Sequence, residues 1–385
     1  MCTVASFQSL TSNFRLYGDR MTRDFWTNLA WGVGPIAIGL ILTTLALVAV
    51  GADPIQAYRS MWNGAFGNPA KIGDVILAWV PLMLASIGLL ITFTAGLWNI
   101  GIEGQIVAGA IFTAWAARAF DLPSVVLIPI LFVAGMLGGA LWALIAGVLK
   151  TYGKVHEIFG GLGLNFIATG LSLYLIIGPW KLPGIASTSG TELFRKSAWL
   201  PTFPGGLSVG PVEITVALVS LVIVYLALRG TLWGLKLKAI GKNVRSAFWI
   251  GIPTSLHMLG AFALCGAFAG MAGTVQAIGV WHRFIPAISG GYGYLGILVV
   301  LLSGFQATLL APVALFFGAV TKGSVALPLD LNLDSSLGGV LQGIIVLLFV
   351  LSQGIRARLE RTRATARIDS AVLAAPASTA TTTGE

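Results

Sequence analysis

Residues 229–258 read RGTLWGLKLKAIGKNVRSAFWIGIPTSLHM, a basic and glycine-punctuated stretch between two long apolar runs. It contains five Lys and Arg side chains and no carboxylate. Such a stretch is too polar for hydrocarbon, so it must face water at one side of a membrane. Five basic residues in a short loop favour the cytoplasmic side. The stretch therefore predicts a membrane protein and sets the orientation of the helices on either side of it.

The same stretch contains the pattern of a short amphipathic helix, which we predict over residues 243–252. Asn243 can cap this helix through its side-chain oxygen. Val244, Ala247 and Phe248 then follow at helical spacing and form one apolar stripe on a basic helix. An apolar stripe that faces the cytoplasm indicates a docking site for another protein, and a solvated loop is the alternative.

The composition excludes an ordinary soluble protein. Of 385 residues, 56% are hydrophobic and only 10% are charged, whereas a soluble domain has roughly 25% charged residues. The 49 glycines indicate that helices approach each other closely through small residues. The net charge of +9 lies in loops beside apolar runs, which is typical of membrane orientation and not of nucleic-acid binding. We predict an all-α membrane protein.

Ten apolar stretches, eight of them within the 17 to 25 residues usual for a span and two slightly shorter, predict about ten transmembrane helices, and an even number places both termini on one side. If that side is cytoplasmic, the inner segments hold 15 of the 23 Lys and Arg residues and a net charge of +9, against +1 outside. Both termini are therefore predicted to be cytoplasmic, in a bacterial plasma membrane. The predicted spans are residues 31–51, 74–94, 97–117, 124–148, 158–178, 212–228, 258–279, 290–304, 307–322 and 337–354.

Three regions follow from this pattern. Residues 1–30 form a cytoplasmic N-terminal segment, which mixes charges with aromatic residues and does not resemble a cleaved signal. Residues 31–354 form the transmembrane domain. Residues 355–385 form a cytoplasmic tail, Ala- and Thr-rich beyond Ile368, which we predict to be disordered.

Polar residues interrupt the apolar run between residues 76 and 117, in the segment GLWNIGIEGQ. It contains Asn99, Glu103 and Gln105 among three glycines. An ionisable residue at membrane depth usually faces a cavity or a partner, so these residues are candidates for a transport path or a hinge beside it. The alternative is a short inner turn, with Glu103 near the lipid headgroups.

Asn165 is a second polar residue within a predicted span, with Thr169 one turn later on the same face. Asn165 could contact a substrate or could form a bridge between helices, which is the commoner role of Asn in membranes. Cys265 lies in an apolar run, where a small packing residue is the simplest interpretation.

Motifs for catalysis are missing from the sequence. It has no phosphate-binding GxxxxGK[ST] loop, no HExxH and no CxxC. The glycines of GGYGYLG, residues 290–296, lie at the start of a predicted span and not after a strand, so they do not form a nucleotide-binding loop. We therefore expect no catalytic residue, no metal site and no cofactor in this chain.

The motifs resemble one family over residues 32–353: permease subunits of bacterial ABC importers for nucleosides and simple sugars, the ribose-type permeases. GLWNIGIEGQ is similar to its Asn-Gly-Glu-Gly signature, and LKAIGKNVRSAFWIGI to its cytoplasmic coupling segment. Cys265 departs from the expected serine. The matching positions are Asn99, Gly101, Glu103, Gly104, Ala239, Gly241, Asn243, Ala247, Gly251, Ile252, Gly266, Ala267, Gly270, Gly273, Gln342 and Gly343.

The resemblance implies a division of labour between subunits. A separate ABC ATPase would use ATP and dock on the coupling segment, whose candidate residues are Gly241, Asn243, Val244, Ala247, Phe248 and Gly251. A second permease subunit, identical or homologous, and an extracytoplasmic binding protein would complete the importer, with membrane lipid around it. The segment GPWKLPGIASTSG, residues 178–190, is more similar to the nucleoside branch than to the ribose branch.

Two other classes of membrane protein compete with this interpretation. An ion-coupled secondary transporter of a small polar solute would use buried carboxylates, for which the sequence offers only Glu103 as a candidate. A channel or scaffold would leave the predicted amphipathic helix over residues 243–252 unexplained.

Overall fold

A computed structural model describes residues 34, 37–49, 51–181, 189–204 and 207–374. Within these ranges the secondary structure is helical and contains no strand, which confirms the all-α prediction. The helices are α1 Ala37–Ala49, α2 Pro54–Phe66, α3 Pro69–Thr94, α4 Ile102–Ala119, α5 Ser124–Thr151, α6 Glu157–Ile177, α7 Pro211–Gly230, α8 Leu232–Lys242, α9 Val244–Trp249, α10 Thr254–Val275, α11 Tyr292–Leu302, α12 Ala307–Gly323, α13 Ala326–Leu331 and α14 Ser336–Ala374. A 3-10 turn at Lys196–Ala198 and a π turn at Gln276–Val280 complete them.

The chain divides into two compact units. One comprises residues 1–51 and 340–385, where α1 packs closely on α14: a Cβ atom at Gly39 would lie 2.8 Å from Cγ1 of Ile345. The other comprises residues 52–339 and contains the candidate sites discussed below.

Seven helices in the described part are long and apolar enough to cross a membrane, or eight if α1 and α2 form one bent span. The predicted count of ten is therefore not confirmed. The predicted span 97–117 corresponds to α4, whose apolar character is interrupted by Glu103 and Arg118. The predicted span 290–304 corresponds to α11, whose 11 residues extend over only about 16 Å, half of a hydrocarbon core of about 30 Å.

The central helix of the 52–339 unit is α3. It packs against α10, α11, α12 and α7. Of the residues in its most apolar 18-residue stretch, 94% are buried. A helix that is apolar on all sides is expected to be buried. Trp79 shows how α3 is held, because its indole N–H donates to the carbonyl of Ala311 in α12 at 3.0 Å.

Glycines bring α4, α5 and α10 into backbone contact. Gly135 and Gly139 on α5 face Gly266 and Gly270 on α10, so a Cβ atom at Gly270 would overlap the carbonyl oxygen of Gly135. Each pair is four residues apart, the spacing that lets membrane helices approach closely. We call these four residues the glycine interface. It accounts for the glycine-rich composition in this part of the chain.

The predicted disordered tail begins at residue 355, but the backbone of α14 is helical to Ala374. The helical pattern continues because the charged residues after Ile355 are good helix formers, and charge alone does not end a helix. The N-terminal segment 1–30 and residues 375–385 lie outside the described residues.

A polar junction and an exposed apolar surface as the candidate sites

The connection between α3 and α4, residues 95–101, has a glycine at its second position that ends α3. Gly96 has a φ of +72°, its N–H donates to the carbonyl of Phe93 at 2.9 Å, and the next N–H, of Leu97, donates to Thr92 at 2.9 Å. This is the Schellman arrangement, in which a left-handed residue after the helix is usually glycine. The chain thus turns sharply at Gly96 before α4 begins.

Close backbone contacts place this connection between α8 and the start of α6. A Cβ atom at Gly96 would lie 3.2 Å from Cα of Gly241 in α8, and one at Gly101 would lie 3.0 Å from Cα of Gly161 in α6. The backbone is therefore a tight turn, which agrees with the alternative of a short turn for this segment. Asn99 in this turn, and Glu103 and Gln105 at the start of α4, are nevertheless buried.

Asn99 and Gln105 bind each other and not Glu103. The Nδ2 group of Asn99 donates to Oε1 of Gln105 at 3.0 Å, and Nε2 of Gln105 donates back to Oδ1 of Asn99 at 2.9 Å. Asn99 also donates to Sγ of Cys265 in α10 at 3.0 Å. Gln105 is fully buried and Asn99 nearly so. This amide pair joins the connection to α4 and α10, and Cys265 is buried as its apolar surroundings predicted.

Glu103 caps a different helix from its own. Its Oε1 atom accepts from the backbone N–H groups of Gly293 at 3.0 Å and Tyr294 at 3.2 Å, in the first turn of α11. These N–H groups have no partner within α11, and a carboxylate is also favoured by the dipole at a helix N-terminus. The Ser289 hydroxyl also interacts with this carboxyl group. The second carboxyl oxygen, Oε2, is buried and has no partner that meets the distance and angle of a hydrogen bond within the described residues.

Asn165 joins the same junction from α6. Its Oδ1 accepts from the N–H of Gly104 at 2.8 Å, and its Nδ2 donates to the carbonyl of Ile100 at 3.0 Å and to the Tyr294 hydroxyl at 3.2 Å. Gly104 permits this approach, because a Cβ atom there would lie 3.0 Å from Oδ1 of Asn165. We call Glu103, Asn165 and Tyr294 the polar junction.

The polar junction lies where α11 begins, about halfway along α3. A Cβ atom at Gly296 in α11 would lie 3.3 Å from the side chains of Ala85 and Leu89 of α3. Farther along, the rings of Phe305 and Phe93 are 6.0 Å apart. α11 therefore runs beside the second half of α3 and starts within the bundle.

The structure brings the four predicted path residues into two clusters. Glu103 and Gln105 are two residues apart and so face different sides of α4. Sequence reasoning missed Tyr294, whose ring is 46% exposed, because GGYGYLG gave no indication of contact with α6. It also missed Glu213, a carboxyl in the first turn of α7 that is fully buried beside Gly210 and Gly279. Glu103 is thus not the only buried carboxyl.

The basic stretch forms two short helices, α8 and α9. Asn243 caps α9 by accepting from the N–H of Ser246 at 3.0 Å, which confirms the predicted cap. Gly251, with a φ of +84°, ends it: the N–H of Ile252 donates to Ala247 at 3.1 Å. The helix is shorter than predicted because this glycine adopts the left-handed conformation.

The three residues of the predicted apolar stripe differ in burial. Ala247 is buried, whereas Val244 and Phe248 are exposed. Beside Phe248, the side chains of Trp249 and Ile250 are 78% and 74% exposed. We call Phe248, Trp249 and Ile250 the exposed apolar surface. Gly241, at the end of α8, contacts the connection so closely that a Cβ atom there would overlap the carbonyl oxygen of Thr94.

The profile of one protein family matches residues 71–350: the permease component of branched-chain amino acid transport systems. The chain belongs to this permease family. It is 30% identical to a glucose ABC transporter permease of Haloferax volcanii, over 87% of this chain and 90% of that one. No solved structure matches it.

Two further relatives are similar over most of their length. A guanosine ABC transporter permease of Bacillus subtilis is 28% identical over 83% of this chain and 92% of its own. A nucleoside ABC transporter permease of Lactococcus lactis is 27% identical over 77% of this chain and 83% of its own. Together with its apolar helices, these relatives make the chain a multi-pass protein of the plasma membrane and a permease component of an ABC transporter.

Proposed function

We propose that this permease imports a nucleoside, with a simple sugar as the second candidate, and that a separate ATPase subunit hydrolyses ATP to drive it. The permease would work with a second permease subunit and would receive substrate from an extracytoplasmic binding protein. Membership of the permease family supports the general role. The exposed apolar surface is the observation in this chain that best supports coupling to a partner.

The exposed apolar surface fits an ATPase docking site for two reasons. Phe248 and Trp249 lie in a T-shaped contact with ring centroids 6.2 Å apart, so they present one combined apolar patch. Aromatic side chains in a pocket of a partner are typical anchors of protein interfaces. α8, which precedes α9, also contacts the start of the α3–α4 connection, where Gly241 lies against Gly96, so a movement imposed on α8 and α9 would reach this connection.

Replacing Phe248 with Asp tests the docking proposal. A charge in the centre of an apolar interface is costly because it loses its hydration. We expect Phe248→Asp to abolish transport-coupled ATP hydrolysis while the permease remains in the membrane. Tyr152→Asp is the matched control, since Tyr152 is an exposed aromatic residue on the connection between α5 and α6. Normal coupling in Phe248→Asp would refute the docking site.

The substrate class is proposed from the relatives, two of which are named for guanosine or nucleosides and one for glucose. Uptake of labelled guanosine, uridine, ribose and galactose by the reconstituted importer tests it. We expect uptake of a nucleoside. Uptake of sugars alone would overturn the nucleoside proposal, and uptake without the ATPase subunit would favour an ion-coupled secondary transporter.

We propose that Asn99, Glu103, Gln105 and Asn165 lie along or beside the translocation path, in two different ways. Asn99 and Gln105 are buried, and their side-chain amides hydrogen-bond each other, so we propose that they support the backbone next to the path. Asn165 donates to the hydroxyl group of the half-exposed Tyr294, and Glu103 accepts from the backbone N–H of the same residue, so we propose that the path runs on that side. A site that passes substrate onward needs few polar contacts and an aromatic face.

A further inference from the structure

A groove of about 720 Å³ lies away from the polar junction, between the first turns of α5, the start of α7 and the connection before α7. Its volume falls within the range of about 300–1,000 Å³ that is usual for small-molecule sites. The lining residues that matter for its chemistry are Val125, Ile128, Pro129, Lys196, Trp199 and Val212.

The walls of this groove continue into surface that a membrane helix presents to lipid. Val125 on α5 is 85% exposed. Ile128 and Val212 extend the apolar wall on α5 and α7. Trp199 lies at one side, and Trp is enriched where membrane meets water. The groove is therefore open to an acyl chain from the surrounding bilayer.

One unpaired cation faces this groove. Arg195 is ion-paired with Asp121 at 3.0 Å, whereas Lys196 has no ion pair in the described part of the chain. Behind Trp199, His282 stacks on its ring with centroids 4.0 Å apart, and burial lowers the pKa of His282 below its usual range. At neutral pH His282 is thus uncharged, and Lys196 supplies the positive charge.

We propose that the groove binds one phospholipid with an anionic headgroup, such as phosphatidylglycerol. The acyl chain lies against Val125, Ile128 and Val212, and the phosphate and headgroup pair with Lys196. A basic side chain near the membrane surface attracts anionic headgroups, and basic pockets between membrane helices are known to bind them.

A lipid bound there would also stabilise the structure around the π turn. Leu200 lines the groove, and its N–H donates to the carbonyl of Ile278 in the π turn at 3.2 Å. The bound lipid therefore holds residues 196–202 against the end of α10. Any ligand that binds only the folded state raises its thermal stability.

Native mass spectrometry of the purified permease, supplied with equal amounts of phosphatidylglycerol and phosphatidylcholine, tests this proposal. We expect one phosphatidylglycerol retained per chain, and a rise in Tm on its addition. Lys196→Glu should lower this retention by about fivefold or more, since each basic residue near a lipid headgroup contributes about fivefold. Lys181→Glu, an exposed lysine outside the groove, should leave it unchanged.

A second pair of variants tests the groove without altering charge. Ile128→Trp fills it and should remove both the retained lipid and the rise in Tm. Val126→Trp places the same ring on the same helix outside the groove and should change neither. The proposal is overturned if Ile128→Trp retains lipid like the wild type, or if the wild type does not prefer phosphatidylglycerol to phosphatidylcholine.

Discussion

Where α5 crosses α10, the helices touch through the backbone of Gly135, Gly139, Gly266 and Gly270, and the small side chains of Ala143 and Thr274 lie against these glycines. Where α4 meets α6 and α11, polar side chains bind backbone groups that the helices leave free. In the first region the helices need no partner except each other. In the second a helix begins inside the bundle, and in hydrocarbon its free N–H groups must be bonded. The glycine interface is therefore sensitive to size, and the polar junction to hydrogen-bonding capacity.

Gly270→Val should give the largest effect. Its side chain would overlap the carbonyl oxygen of Gly135 and lie within 3.2 Å of the N atom of Gly139. Ordinary overpacking costs about 1–3 kcal/mol, and here backbone must move, so we expect little folded protein after detergent extraction. Gly260→Val is the control on the same helix, because no atom lies within 4 Å of its Cβ position. Equal recovery of the two variants would show that the helices can separate freely.

Glu103 variants should give an intermediate effect that separates charge from hydrogen bonding. Glu103→Ala leaves the N–H groups of Gly293 and Tyr294 unbonded, at about 1–3 kcal/mol for each buried group. Glu103→Gln keeps an oxygen for both, so its Tm should remain much closer to the wild type. If uptake survives in Glu103→Gln but fails in Glu103→Ala, the residue acts as a cap for α11. Normal uptake and Tm in Glu103→Ala would remove it from the path and from the junction.

The amide pair should give the smallest effect when both partners are replaced. Gln105→Leu alone leaves the buried amide of Asn99 without its main partner and should cost about 1–3 kcal/mol. Asn99→Leu combined with Gln105→Leu should cost less than the single change, because no polar group is then left unbonded. Thermal unfolding of both variants in detergent measures the difference. A double variant less stable than Gln105→Leu would mean that Asn99 has a further role, through Cys265 or substrate.

Much of this protein can be read from its sequence. Apolar length and loop charge predicted an all-α membrane protein, and the cap at Asn243 was predicted from one residue type at the start of a helix. The motifs around Glu103 and Gly270 resembled the permease family that the comparison then showed. These features are local: each depends on a few neighbouring residues, whose spacing and polarity are visible in the chain itself.

Only the tertiary structure decided which residues meet. Glu103 and Tyr294 are far apart in sequence, and no local pattern places the carboxylate of α4 at the start of α11. The span predicted over residues 290–304 became the short helix α11 for the same reason, since hydropathy cannot reveal that a helix begins inside the bundle. Ala247 and Phe248 differ in burial although both are apolar, because packing against the rest of the chain covers one and leaves the other exposed.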